Sequence, residues 1–232
     1  MRIHRCLLVV TAMLCGCGLG GPPGGPVKHE SQSIALDKTE RVHTTLKMNA
    51  GELSVRGGAA KLLEADFTYN VDAWQPELHY QSSPQSGTLD VVQPGPKTSS
   101  GNAKNSWDIR LNDSVPMDLR VQVGAGDAKL DLGSLNLRDV DFQMGAGDLH
   151  MDLRGKPDKD YTVRVMGGAG DAVIQLPKDV GITATVSGGL GDISVSGMHK
   201  SGDKYVNDAY GQSSVTIKLQ VTGGVGSVKL ED

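Results

Sequence analysis

Four aspartates end a recurring glycine motif, and their regular spacing makes them the side chains best placed to bind an ion. Gly-x-Gly-Asp starts at positions 124, 145, 168 and 189 and ends at Asp127, Asp148, Asp171 and Asp192. Calcium binds carboxylate oxygens, so these four residues are weak candidates for a metal site. However, calcium-binding β-rolls use nonapeptide repeats, and an Asp in a turn can accept backbone N–H groups instead. We favour this turn-closing role and expect no metal and no other cofactor.

A second chemical group is the thiol of Cys17. An apolar run, residues 6–14, follows two arginines and is far shorter than the roughly 20 residues that a membrane-spanning helix needs. Residues 14–17 read Leu-Cys-Gly-Cys and resemble the lipobox of bacterial lipoproteins, in which the last cysteine receives a diacylglyceryl group. The sequence thus predicts a signal peptide at 1–16, lipid attachment at Cys17 and a Gly/Pro-rich tether at 17–30. An ordinary cleaved signal peptide with incidental cysteines is the alternative.

Other residue types that could perform catalysis lack a suitable spacing. The 6 histidines form no His-x-x-x-His or other metal-binding pattern. No Gly-x-Ser-x-Gly sequence presents a nucleophile, and no glycine-rich segment completes a dinucleotide or phosphate loop. Lys plus Arg number 23 against 27 for Asp plus Glu, so no basic excess indicates nucleic acid. We therefore predict no catalytic residues, a protein that is not an enzyme, and no nucleic-acid partner.

The glycine motifs lie between segments in which apolar and polar residues alternate. Weaker copies start at Asn49 and Gly224, which makes six in all. The first and third residues after the acidic position, or after Ser227 in the last copy, are apolar in every copy: Leu53 and Val55, Ala128 and Leu130, Leu149 and Met151, Ala172 and Ile174, Ile193 and Val195, Val228 and Leu230. This period of two indicates strands with one buried face. Each unit is too small to bury that face alone, so we expect the units to stack around one core.

The predicted fold is an all-β stacked repeat, a single β-solenoid or β-helix-like domain with short strands and Gly-rich turns over residues 31–232. The 31 Gly, 10 Pro and few aromatic residues fit a narrow core between many turns. All cysteines lie within the first 17 residues, so no disulfide is expected in the exported part. Further strand candidates are Ala65–Val71, Glu77–Gln81 and Thr88–Gln93, followed by a polar loop, Pro94–Asn105.

Aromatic residues offer two weaker candidates for a binding surface. Trp74 and Trp107 could stack on sugars, although isolated tryptophans more often pack in a core. The segment Tyr205–Gly211 combines aromatic and amide side chains. We favour its packing as a connection against the stack.

These motifs resemble the toast-rack family of bacterial envelope proteins, which is related to the outer domain of cell-wall-active antibiotic response proteins and to proposed adhesins. The resemblance spans nearly the whole mature chain and includes Asn49–Glu52, Lys61–Phe67, the glycine turns and Asn207–Gly211. It implies an all-β stack displayed outside the cytoplasmic membrane, with no catalytic residues to transfer. Ser227 departs from the acidic position, which suggests a terminal, capping slice at that turn.

The leading hypothesis is a non-catalytic envelope lipoprotein whose stack is an interaction or scaffold surface with a role in an envelope stress response. Its expected partners are the membrane, through the lipid, and an envelope protein or glycan; the oligomeric state stays open. We expect it outside the cytoplasm, and in the outer membrane where the cell has one, because Leu19 and not Asp is the second residue after Cys17. The alternatives are a calcium-dependent adhesin and a glycan-acting β-helix enzyme.

Overall fold

The computed structural model describes residues 25–95 and 102–232, which form seventeen strands and one short 3-10 helix, Asp72–Trp74. This confirms the all-β prediction. The strands are β1 (Lys28–Ile34), β2 (Val42–Arg56), β3 (Leu63–Tyr69), β4 (Glu77–Ser82), β5 (Gly87–Val92), β6 (Asn105–Leu111), β7 (Met117–Asp131), β8 (Leu137–Ala146), β9 (Leu149–Asp152), β10 (Tyr161–Ala169), β11 (Ala172–Gln175), β12 (Gly181–Ser187), β13 (Ile193–Ser196), β14 (Met198–Ser201), β15 (Lys204–Asn207), β16 (Thr216–Thr222) and β17 (Val228–Glu231).

Parallel slices stacked in register make up the body of the protein. A slice contains the chain before and after one glycine turn, as in β8/β9, β10/β11, β12/β13 and β16/β17. In β2 and β7 the strand continues through the turn for 15 residues, so the expectation of uniformly short strands does not hold there. Pairing matches equivalent turn residues, such as Gly51 with Gly126. The halves before the turns pair in one row and the halves after them in a second row, with the core between the two. β2 and β7 join these rows into one seventeen-stranded sheet, whose two parts are called the first and the second sheet below.

The alternation read from the sequence is the alternation of burial in the structure. Val121, Phe142 and Val163 point into the core before the turns, and Leu130 and Met151 do so after them. These side chains fill the space between the two sheets because the period of two places them on a single face of each. Ala172, Val186 and Val195 are only partly buried, and Ile193 of β13 is 42% exposed.

The spatial order of the slices differs from their order in the chain. β16 pairs with β10 on one side and with β12 on the other, and β17 lies in the same way between β11 and β13. The chain therefore passes to the end of the stack with β12/β13 and then returns to insert its last slice. The suggestion that Ser227 marks a terminal, capping slice is wrong, because its slice is interior and the terminal slice carries Asp192.

Antiparallel strands lie at both ends of the stack. At one end β4 pairs with β5, and β1 and β3 pair beside β6. β1 begins at Lys28, so the predicted tether, 17–30, overlaps the sheet by three residues. At the other end the hairpin β14/β15 covers part of β12. The strand candidates between residues 65 and 93 correspond to β3, β4 and β5, with small differences at their ends.

Ion pairs between neighbouring strands cover the outer face of the first sheet. Arg164 of β10 donates to Asp139 of β8 at 2.9 Å, and Arg138 Nε of β8 lies 3.5 Å from Asp118 of β7. These pairs are partly exposed, so each contributes little to stability. Their alternating signs fit the in-register parallel pairing.

Candidate functional site

The six glycine turns stack into one continuous edge, the turn ridge, which comprises residues 49–52, 124–127, 145–148, 168–171, 224–227 and 189–192 in spatial order. The glycine at the third position of each turn has a positive φ, for example +126° at Gly126 and +125° at Gly147. A Cβ at Gly147 would lie 1.7 Å from the carbonyl oxygen of Gly126. The turns need glycine both for this backbone conformation and for the close approach of neighbouring slices.

The turn aspartates connect one slice to the next. Asp148 accepts the N–H of Asp171 at 3.0 Å, and Asp171 accepts the N–H of Ser227 at 2.7 Å. Asp127 accepts the N–H of Asp148 at a longer 3.4 Å. These hydrogen bonds run between turns, whereas the sequence analysis placed them within each turn. Ser227 has no carboxylate but still offers its backbone N–H to Asp171 of the neighbouring slice.

Loss of one carboxylate from this row is expected to weaken the stack modestly. Asp171→Ala removes the acceptor of the Ser227 N–H and should lower the melting temperature by about 2–4 °C. Asp192 lies in the terminal slice and has no following turn, so Asp192→Ala is the matched control and should leave the melting temperature unchanged. Thermal unfolding followed by circular dichroism compares the two. Equal effects of both substitutions would contradict the connecting role.

Two shallow grooves, each of about 450 Å³, flank the turn ridge. The amide groove lies on the first sheet and is lined by Lys47, Asn49, Gln122, Gln143 and Met166, among others. The carboxylate groove lies on the second sheet and is lined by Glu52, Asp127, Lys129, Asp148 and His150, among others. In the amide groove, amide side chains that can hydrogen-bond to hydroxyl groups lie beside the exposed Met166. The groove therefore combines hydrogen bonding with apolar contact, which is the chemistry of a binding surface.

A buried polar group ends the turn ridge at its β6 end. Asn105 donates to the carbonyl of Ala50 at 2.7 Å and to Gln93 at 3.0 Å, and its own carbonyl accepts from Trp107 at 3.0 Å. Gln93 accepts the N–H of Asn49 at 2.8 Å. The Gln93 and Asn105 side chains thus hydrogen-bond to the backbone of Asn49 and Ala50. In the other slices the turn of the neighbouring slice occupies this place. Gln93 and Asn105 could not be predicted from the sequence, since isolated amides carry no recognisable pattern.

Carboxylates on the opposite turns of the slices are held by neighbouring cations. Hydrogen bonds from Arg154 keep the pKa of Asp152 below its usual range, and one from Lys229 does the same for the pKa of Glu231. Burial raises the pKa of Asp232, at the chain end. The first two groups are therefore ionised and paired, which suits a structural role.

The structure assigns the remaining candidates mainly to the core. Trp107 is 1% exposed and packs edge-to-face on Phe67 with ring centroids 5.4 Å apart, and Trp74 is also buried, so neither is a sugar platform. Asn207 is buried and accepts the N–H of Ile182 at 2.8 Å, while Tyr210 is exposed. Cys17 lies outside the described residues.

The described residues contain neither a cluster of metal ligands nor a helix that could cross a membrane. Within 25–95 and 102–232, no three His, Cys, Asp or Glu side chains are grouped as a metal site, so the turn aspartates do not converge on one point. Over the same ranges, no helix has the length and hydropathy to cross a membrane.

Comparison with known families identifies the class of protein. The model of the N-terminal domain of toast_rack matches residues 23–175, and that of the C-terminal region of the cell wall-active antibiotics response protein LiaF matches residues 125–230. The two matches overlap on the central slices, as a continuous repeat allows. The chain belongs to the toast-rack family.

One of the similar solved structures agrees with this assignment. A proposed cell adhesion protein from Clostridium sporogenes ATCC 15579 is 30% identical with a TM-score of 0.85, over 89% of this chain and 99% of that chain. A proposed adhesin from Bacteroides fragilis NCTC 9343 is 13% identical with a TM-score of 0.35, over 90% and 100% of the two chains. Only the first of these bears on the function. A comparison with curated protein sequences gives no match.

Proposed function

We propose that this chain is a non-catalytic cell-envelope lipoprotein, anchored through Cys17, whose β stack is a rigid surface for binding an envelope protein or glycan. Membership of the toast-rack family carries this proposal, together with a 30%-identical relative, a proposed cell adhesion protein, that covers 89% of the chain. The match to a cell wall-active antibiotics response region supports a role in the envelope stress response. The outer membrane is the proposed location where the cell has one.

The position of the first described residues supports anchoring at one end of the stack. The N–H of Gly25 donates to the carbonyl of Asn70 at 2.6 Å, beside β3. Seven residues lie between Cys17 and Gly25, and the eight Cα–Cα steps that join the two can span at most about 28 Å. Six strand spacings, about 29 Å, separate β6 from β13. A lipid on Cys17 would therefore hold the β1/β3 end within reach of the membrane and leave the β13 end free for contacts with other molecules.

Labelling tests the anchor directly. Cys17→Ser should abolish incorporation of radiolabelled palmitate and release the protein from the membrane fraction, because one or more acyl chains provide the attachment. Cys15→Ser is the matched control, with a neighbouring thiol removed, and should keep both label and membrane retention. Fractionation of the producing bacteria with fluorography measures both.

Retention of the Cys17→Ser protein in the membrane without label would overturn the anchor. The proposed surface is tested separately by crosslinking the wild-type protein in intact cells and identifying its neighbours by mass spectrometry. Recovery of one recurrent envelope protein or glycan supports the binding role. Turnover of an envelope glycan by the purified protein would contradict the non-catalytic assignment.

A further inference from the structure

Strand β13 is an open edge of the second sheet at the far end of the stack. Among the described residues it pairs with β17 alone, through Ile193 with Val228 and Val195 with Leu230. Ile193 of β13 is 42% exposed, because no further slice covers it, and Leu190 in the adjoining turn is 72% exposed. The neighbouring hairpin β14/β15 covers β12 instead. The core is therefore incompletely closed at this edge.

The backbone groups of β13 that face outward follow from its pairing. Val228 donates its N–H to the carbonyl of Asp192. In a parallel pair, alternate residues turn both backbone groups towards the neighbour, so Ser194 faces β17 like Asp192. Ile193 and Val195 consequently direct their N–H and C=O groups to the free edge. Such groups are a template for another strand.

β13 also differs from the other free edges in charge. β1, β4 and β14 each pair with one strand among the described residues, and they carry Lys28 and Glu30, Glu77, and Lys200, respectively. Charges of this kind discourage pairing between edges. β13 reads Ile-Ser-Val-Ser and carries none, so an identical strand can approach it without like-charge repulsion.

We propose that β13 pairs with β13 of a second copy of this chain, which joins two stacks end to end about a two-fold axis. Longer head-to-tail assemblies are not expected, because the free edges at the opposite end, β1 and β4, carry the charges that discourage such pairing. A two-fold contact is closed and self-complementary, as most homodimer contacts are. It would also bring the exposed apolar residues of two tips together.

The symmetry determines the register of this contact. Antiparallel pairing by a two-fold axis perpendicular to the sheet keeps the core on the same side of both copies. Ile193 of one copy must then oppose Val195 of the other if all their outward backbone groups are to be used. Ser194 falls on the axis, opposite itself, in a non-hydrogen-bonded pair with Cα atoms about 4.5 Å apart. Two serines fit this position, whereas two equal charges do not.

Sedimentation velocity of the full-length protein in detergent tests the contact with a charge exchange at Ser194. The wild type should be dimeric, and Ser194→Lys and Ser194→Glu should each weaken dimerisation by about tenfold or more. An equimolar mixture of the two variants should restore a dimer, because opposite charges then meet on the axis. Thr185→Lys, exposed on the outer face of the same slice, is the control and should remain dimeric.

Melting temperatures equal to that of the wild type will show that the Ser194 variants fold, since this side chain is exposed. A wild-type protein that is monomeric at about 100 µM would overturn the proposal and leave the edge to a different protein. A dimer that persists in Ser194→Lys, or a mixture that does not recover, would equally overturn it.

Discussion

Gly147→Ala is expected to prevent stable stacking of the slices. The new Cβ would lie 1.7 Å from the carbonyl oxygen of Gly126, well inside van der Waals contact, and the backbone at φ +125° is one that alanine rarely adopts. The obstructing atom belongs to the backbone of the neighbouring slice, so it cannot move without breaking the parallel pairing. We expect a loss of about 4 kcal/mol or more in the free energy of unfolding.

Urea denaturation followed by circular dichroism measures this loss. Gly167→Ala is the matched control, since it makes the same substitution in the adjacent slice, two residues before Ala169. A Cβ at Gly167 would meet no atom within 4 Å, and the backbone there has no positive φ. Its free energy of unfolding should stay close to that of the wild type. A Gly147→Ala protein as stable as Gly167→Ala would show that the turn ridge is not closely packed.

Asn105→Ala is expected to destabilise the end of the stack by about 2–4 kcal/mol. The side chain is 4% exposed and makes hydrogen bonds to Ala50, Gln93 and Trp107. Alanine would leave buried donors and acceptors without partners, and their desolvation is then uncompensated. The large effect thus comes from several orphaned groups and not from a single lost contact.

The control for this change is Asn136→Ala, which removes an amide with one long hydrogen bond, 3.4 Å, to Ser114. Its free energy of unfolding in urea should remain within about 0.5 kcal/mol of the wild type. Near-ultraviolet circular dichroism should also report the change at Trp107 in Asn105→Ala alone. If both asparagine variants lose equal stability, the end of the turn ridge does not depend on this buried group.

Individual strands could be predicted from the sequence because their signal is local. The alternation at Ala128 and Leu130 depends only on the period of two along one strand, and the turn at Gly126 on the motif itself. The tryptophans were open to two interpretations, since a sequence does not tell whether Trp107 has Phe67 beside it. The buried amides Gln93 and Asn105 carry no pattern, because their role arises only where a preceding slice is absent.

The sequence by itself determined the all-β character, the glycine turns and the buried face of each slice. Only the tertiary structure decided the order of the slices, including the insertion of β16/β17 before β12/β13. The physical reason is that a strand with this alternation can bury the same face against any similar neighbour, so its pattern does not specify which neighbour it has. That order leaves β13, and not the last strand of the chain, at the open edge.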